Sequence, residues 1–529
     1  MLKQPASIFN DVIGPIMRGP SSSHVAAALR IGNLVKQMVK GKLKEVIVEF
    51  DTKGSLATTY HGHGSDIGFV GGLLGFGPED DRLTDSLKLA EKQGIVVSFK
   101  IVDYPAKHPN TYRITVISND NEIKRLTAIS IGGGMIEVQE IDGFEVEISG
   151  DFYETLIFLN KIDEDILKQK ADAIKALIGD FDFCNCLTNR QRGLINVKTS
   201  CQLPDKVIKQ IESFEQVENL IQLIPVLPII SRKNCNVPFR NIGEMLQVAL
   251  EGNLQLWELA LMYESARGNI PKQEVFDKMK EIVILMKSSI EAGLKGTSYE
   301  DRILGPQAWM IEKCKKENKL IPGIFNTVIA YITSMMEVKS SMGVIVAAPT
   351  AGSCGVLPGT IIGVATEMGF SIDDVVKAML AAGMIGVFIA EKSGFAAEVG
   401  GCQVECGAAS GMAAAGLVQL LGGSAQQCVD AASMALQNIL GLICDPVAER
   451  VEVPCLGKNI MAGANAIACA NMALAGYDKV IPLEETLVAM DEVGRMLPPE
   501  LRCTGLGGLS TTETSKKIYN ALKKRAEKG

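Results

Sequence analysis

The spacing of apolar positions divides the chain into three stretches. Over residues 1–148 two periodicities alternate. From Val25 to Lys40 apolar residues recur at helical spacing, so that segment predicts an amphipathic helix, while VIVEF, VVSFKIV, YRITVIS and FEVEI predict strands. An α+β domain is expected there. Residues 149–228 hold a shorter order of their own. YETLIFL predicts a strand, EDILKQKADAIKALIG a helix, FDFCNCLTN and GLINVKTSC two strands joined by a polar turn, PDKVIKQIES a helix opened by proline, and VENLIQLIPV a last strand.

That βαββαβ order is ferredoxin-like. Small regulatory domains of the amino-acid-binding ACT type share it, so an ACT-like domain is expected, with a purely structural spacer as the plain alternative. A proline-dotted linker (229–240) follows. From residue 241 to 529 the pattern is helical almost throughout, as in NIGEMLQVALEGNLQLWELALMYES and DDVVKAMLAAGMIGVFIAEK, which predicts a nearly all-α C-terminal domain.

Composition narrows the class. The 529 residues suffice for about three domains. A net charge of -8 with 22% charged residues has the wrong sign for a nucleic-acid binder and is too mild for an acidic tail protein. The opening MLKQPASIFNDVIG shows no charged region followed by an apolar run, so no signal peptide is expected and a cytoplasmic location is. Two uncharged stretches, 340–366 and 406–429, are long enough to raise a membrane span. Glycines interrupt both, prolines the first and glutamines the second, and neither has a flanking aromatic belt. They are expected to be buried helices and turns.

Thirteen cysteines stand beside only 5% aromatics. In a reducing compartment such thiols are structural, metal-binding or catalytic rather than disulfide-forming. Three sit in loop-like contexts, Cys402 in EVGGCQ, Cys444 in GLICDPV and Cys455 in EVPCLGKN. Glycine permits close backbone approach at the first, and proline punctuates the other two. Cys406, Cys428 and Cys469 fall in Ala-rich helical runs and read as small buried apolar residues. No CxxC pair is present, so spacing alone points to neither a zinc ribbon nor a ferredoxin.

The surrounding segments are more specific. AAPTAGSCGVLPG, EVGGCQVECGAASGMAAAG, LGLICDPVAERVEVPCLGKN and TGLGGL resemble the catalytic α portion of the iron–sulfur-dependent L-serine dehydratases, or L-serine ammonia-lyases. GPSSSH and GSLATTYHGHGSD resemble the β portion of the same family. With the ACT-like segment, the resemblance covers nearly the whole chain. It implies a [4Fe–4S] cluster held by Cys402, Cys444 and Cys455, leaving one iron open as a Lewis acid. It further implies loss of water and ammonia from L-serine to give pyruvate, a step in amino-acid degradation and gluconeogenesis. His63 matches the family's catalytic base, and His61 is a secondary candidate. In some members a C-terminal cysteine caps the open iron. The segment KKRAEKG carries none, so the same capping is not expected here.

Two hydroxyl-rich turns are candidates for the substrate carboxylate. Ser21, Ser22, Ser23 and His24 precede a helix whose free N–H groups favour an anion. Thr350 and Ser353 lie in the glycine-rich APTAGSCG turn. An ordinary serine N-cap would explain one serine of the first set. The chain departs from the family at AEKSGFAAE (390–398), at Glu449 and Arg450, and at Cys503, which opens the substrate to threonine or another β-hydroxy amino acid. A pyridoxal-phosphate enzyme would need a Schiff-base lysine. Lys339, Lys392 and Lys458 lie near glycines but in no persuasive context, and no such cofactor is expected. A non-catalytic amino-acid sensor is the remaining alternative. L-serine is the expected partner, with no nucleic acid and no membrane, in a homodimer whose base and metal come from two domains.

Overall fold

The computed structural model describes residues 4–19, 21–300 and 302–526. Pro20 of the GPSSSH turn and the last three residues of KKRAEKG lie outside the described residues. The chain divides into two units, one formed by Met1–Gln4 with Ser21–Cys235, the other by Pro5–Pro20 with Asn236–Gly529.

The strands, in chain order, are β1 (Ile16–Arg18), β2 (Leu43–Asp51), β3 (Val96–Val102), β4 (Thr111–Ser118), β5 (Ile123–Gly132), β6 (Met135–Ile141), β7 (Phe144–Ile148), β8 (Tyr153–Asn160), β9 (Phe183–Asn189), β10 (Arg192–Thr199), β11 (Val217–Leu223) and β12 (Val344–Val346). In the first unit β2–β7 make one sheet of order β3-β2-β4-β5-β6-β7. Val46, Val48 and Phe50 alternate inward along β2, which fixes the face that meets the core. β3 runs parallel to β2, and helices Ser65–Leu74 and Ser86–Lys92 fill the crossover that a parallel pair requires.

Helix Ser22–Gln37 packs closely on helix Ser65–Leu74. Glycine makes this contact possible. A Cβ at Gly32 would stand 2.1 Å from the Phe69 carbonyl oxygen, and one at Gly72 2.2 Å from that of Leu29. This packing holds the start of the first helix beside the turn that precedes the second.

β8–β11 form a four-stranded antiparallel sheet of order β11-β8-β10-β9, with helices Glu164–Ile178 and Asp205–Glu212 inserted in the order βαββαβ. Leu156, Phe158, Leu194, Ile221 and Leu223 of this sheet join the core of the six-stranded one, so the two sheets share apolar packing within one unit. The other face has its own core of Ile157, Ile195, Val197 and the helix residues Leu167 and Ile174.

The second unit is built of helices. Cys406–Leu420 is its central one, buried along its whole length, and it packs against Ile372–Lys392, Ala425–Gln437 and Cys455–Leu474. Most of the uncharged stretches 340–366 and 406–429 is buried here, and among the described residues no helix is long and apolar enough to cross a membrane. The long apolar run after residue 241 is two helices rather than one. Ile242–Gly252 and Leu256–Gly268 are separated at Asn253, whose φ of 49° is the left-handed stop that asparagine tolerates.

The N-terminal segment supplies the largest difference from the expected boundary at residue 1. Ile8, Phe9, Val12, Ile13 and Met17 are buried, and β1 pairs antiparallel with β12 in the second unit. Buried Glu264 accepts hydrogen bonds from the Ser7 hydroxyl and, at 2.9 Å, from the Ile8 N–H, while the Tyr263 hydroxyl donates to the Ala6 carbonyl. Burial raises the Glu264 carboxyl above its ordinary value. Glu264→Ala strands two buried donors and is expected to cost about 2–4 kcal/mol. The check is the denaturation midpoint together with new protease cleavage within residues 5–19. Glu264→Gln, which keeps an acceptor, should lose much less.

Candidate metal centre and histidine pair

Cys402 follows Gly401, which has a φ of 74° and where a Cβ would stand 2.9 Å from the Leu442 carbonyl oxygen. Gln403 anchors this turn. Its side chain donates to the Met490 carbonyl at 2.9 Å and accepts from the Gly441 N–H at 2.9 Å. Cys444 lies in extended chain tied to the 501–503 segment, donating its N–H to the Leu501 carbonyl and accepting from the Cys503 N–H. Cys455 differs from the expected loop position, because it is the first residue of the helix Cys455–Leu474. Cys406 likewise opens Cys406–Leu420. A helix start favours a thiolate through its free N–H groups and dipole.

These residues converge. The Cys402 and Cys444 sulfurs and a Glu405 carboxylate oxygen lie within 4.8 Å of one another, a group able to hold a metal ion. Cys455 stands outside that tight trio, yet the charges of Cys402 and Cys455 interact. Cys406 interacts with both. Cys406 is buried, as expected of a small apolar residue, and its sulfur lies 3.7 Å from the Asn459 amide nitrogen, beside this group but outside the trio. Cys428 and Cys469 are buried inside helices as expected. All thirteen cysteines are free thiols.

The electrostatics suit a cation. Burial raises the Cys455 thiol, and a neighbouring Cys402 thiolate raises it further. Hydrogen bonding with Cys402 and Cys503, then burial, raises Cys444. Burial also pushes the half-buried Glu405 carboxyl up to about 7, against a hydrogen bond from Thr350. A set of acids that oppose one another's ionisation is stabilised by a metal centre, which deprotonates a coordinating thiol outright. Thiolate donors suit iron–sulfur chemistry or zinc. The residues present therefore fit an iron–sulfur group.

Three further side chains organise the centre, and none was found from the sequence as a site residue. Lys458 donates to Asp445 and to the Ile443 carbonyl, each at 2.7 Å, and its Nζ lies 3.7 Å from the Cys402 sulfur. Burial lowers its affinity for a proton, but the charges of Cys402 and Asp445 outweigh this and raise it. A lysine held charged is a poor Schiff-base nucleophile. Asp445 also accepts from the Leu509 N–H at 3.0 Å, docking the TGLGGL segment on CDPV. Asn459 donates to the Gly352 and Cys455 carbonyls at 2.8 Å each and accepts from the Gly355 N–H. That amide holds the TAGSCG turn against the cysteine helix.

In that turn Thr350 donates to Glu405 at 2.6 Å, and the fully buried Ser353 hydroxyl lies 3.1 Å from that of Thr350. Both predicted hydroxyls thus belong to the cysteine centre. Lys339 is buried and donates to the Val451 carbonyl at 2.8 Å. Burial lowers its pKa.

The remaining candidates lie in the first unit. Ser21 caps helix Ser22–Gln37 by position but makes no side-chain cap bond; its hydroxyl instead shares a 2.7 Å hydrogen bond with His24 Nδ1. Ser22 is buried and Ser23 partly so. The His24 and His63 rings meet with centroids 4.5 Å apart. Burial holds His24 below the ordinary histidine value. His61 points elsewhere. Its exposed ring donates from Nδ1 to buried Asp66 at 2.6 Å. The two histidines of HGHG therefore occupy different settings, which residue type alone does not reveal.

Comparison with known proteins finds a family match in each unit. Residues 12–97 match the family described as serine dehydratase beta chain, and residues 251–510 the serine dehydratase alpha chain. The L-serine dehydratase alpha chain of Peptoniphilus asaccharolyticus is 36% identical over 286 residues, covering 54% of this chain and 98% of that protein. A Bacillus subtilis (strain 168) protein named "Probable L-serine dehydratase, beta chain" is 44% identical over 154 residues, 29% of this chain and 68% of that one. The L-serine dehydratase of Streptomyces coelicolor is similar over 500 residues at 25% identity, covering 93% of this chain and 96% of that protein. A chain that joins alpha-type and beta-type segments, with converging thiols in the alpha-type one, belongs to the L-serine dehydratase family, whose members are carbon–nitrogen lyases.

Proposed function

We propose that this chain converts L-serine to pyruvate and ammonia at the centre formed around Cys402, Cys444 and Cys455. The observation that carries the reading is the convergence of buried thiols and a carboxylate under a hydroxyl-bearing glycine turn. Cys402, Cys444 and Cys455 would hold a [4Fe–4S] cluster. When bound, such a cluster held by three protein thiolates would supply a Lewis acid for loss of the serine hydroxyl.

The protein's own groups do the rest. The TAGSCG turn, with Thr350 and Ser353, offers hydroxyls and N–H groups to the substrate carboxylate, as does the Ser21–His24 turn. His63 removes the α-proton; its Nδ1 is buried, which leaves Nε2 for that proton. Neutral His24 beside it adds no competing charge. Loss of the β-hydroxyl gives aminoacrylate, which tautomerises and is hydrolysed to pyruvate and ammonia. The βαββαβ module of β8–β11 is the proposed ACT-like regulatory domain, and the enzyme is proposed to be a cytoplasmic homodimer.

Protein purified and reconstituted without oxygen tests this directly. Expected are a broad visible absorption bleached by air, about four irons per chain, and pyruvate formation from serine exceeding that from threonine or cysteine. A sharp lysine–aldimine band, or turnover of serine by iron-free protein, would overturn the reading. Lys458→Met keeps the bulk of the side chain and removes its charge. It is expected to lower iron affinity by about 10–100-fold through loss of the contact to Cys402, measured by chelator competition.

A further inference from the structure

The first unit carries a pair of neighbouring thiols that the proposed reaction does not use. Cys184 and Cys186 are two residues apart on β9, so both side chains leave the same face of the strand. β9 is an outer strand of its sheet, hydrogen-bonded to β10 along one side, and can deform more cheaply than a central strand. Cys184 is partly buried against the helix-side core, whereas Cys186 is exposed. Residues 184–187 border a cavity of about 1000 Å³, and Cys186 is exposed to solvent. A small oxidant therefore has a path to them.

Their surroundings divide the two roles. Cys184 is the neighbour of Cys186 on this face and favours its thiolate, and the Lys175 ammonium on the facing helix adds a favourable charge, opposed by burial and by Asp172. Together these hold the Cys186 thiol down to about 7 and push that of Cys184 up. An exposed thiolate with a protonated thiol beside it is the arrangement of a peroxide-reactive pair.

We infer that Cys186 and Cys184 form a peroxide-responsive dithiol, with Cys186 attacking and Cys184 resolving. In the first step the Cys186 thiolate attacks one peroxide oxygen. The O–O bond breaks, the other oxygen leaves as hydroxide and takes a proton to become water, and Cys186 becomes a sulfenic acid. In the second step Cys184 loses its proton and attacks the Cys186 sulfur. The S–O bond breaks, and the hydroxyl departs as water with that proton. Two thiols and one peroxide thus give one disulfide and two waters. At i and i+2 of a strand the Cα atoms are about 6.6 Å apart, near the upper limit for a disulfide. The bridge must bend the strand, which makes it readily reduced and reversible.

The test uses the full-length chain and reads peptides, so its outcome is independent of dehydratase activity. Protein is treated with hydrogen peroxide, with and without dimedone, then alkylated, digested and analysed by mass spectrometry. The peptide holding residues 176–190 should become lighter by two hydrogens and be restored by dithiothreitol. It should react at least about tenfold faster than the exposed Cys201. Cys184→Ser should strand the sulfenic acid and raise dimedone labelling of Cys186 several-fold, and Cys186→Ser should abolish labelling in that peptide. Oxidation of Cys186 at the rate of Cys201, or no rise in labelling in Cys184→Ser, would overturn the inference.

Discussion

Replacing Cys402, Cys444 or Cys455 by alanine, one at a time, is expected to leave anaerobically reconstituted protein with less than about a tenth of its iron and sulfide. Cys428→Ala and Cys469→Ala should retain both. All five thiols are buried, so burial does not distinguish them. Position does. Cys428 and Cys469 lie mid-helix, away from the turns that carry the trio, and Asn438 lies 3.4 Å from the Cys469 sulfur. Cys402 and Cys444 lie within the 4.8 Å trio, and the charges of Cys402 and Cys455 interact. Removing one thiolate also removes one of few negative charges balancing a cationic centre. Equal loss of iron from both sets would refute the assignment. Glu405→Gln separates two ligand sets. If it loses iron while Cys455→Ala keeps it, the carboxylate takes the third ligand position. Far-ultraviolet circular dichroism of each apoprotein shows whether the fold survived.

The second large effect concerns the base. His63→Ala is expected to lower kcat by about 10²–10⁴-fold with iron content unchanged, whereas His61→Ala should change kcat by less than about tenfold. His61 is exposed and already committed to Asp66; the half-buried His63 ring meets His24. Similar losses from both variants would remove the distinction. The contact with His24 adds a pH signature. Burial lowers the folded-state pKa of His24 from its ordinary 6.5. Its stabilising contribution is therefore complete above pH 6.5 and is lost as pH falls through the lower folded value. Protonation would also place a cation against the His63 ring. An acid limb in kcat that moves in His24→Gln, measured on iron-loaded protein, is the expected result.

How much of this was legible beforehand varied with range. The order β8 to β11 with its two helices follows the predicted segments, because alternation and helical spacing are local properties. Cys402 and Cys444 stood out because glycine and proline mark turns where a thiol can be presented. The break at Asn253 was masked by continuous apolar spacing, although a left-handed asparagine is a known helix stop. Glu405, Lys458 and Asn459 carried no local signal. Each becomes informative only when helix starts some 50 residues apart, Cys406 and Cys455, are brought to one place.

The sequence by itself determined the family, the helical and strand segments and the supply of thiols, histidines and hydroxyls, since residue type and short-range periodicity are written along the chain. Tertiary structure decided which of these act together. It moved Pro5–Pro20 into the second unit, brought Glu405 to Cys402 and Cys444, paired His63 with His24 rather than His61, and set Lys458 on Cys402. The reason is that burial and charge act through space. A thiol's proton affinity, a lysine's charge and a histidine's neighbour depend on groups that long-range packing alone brings within a few ångströms.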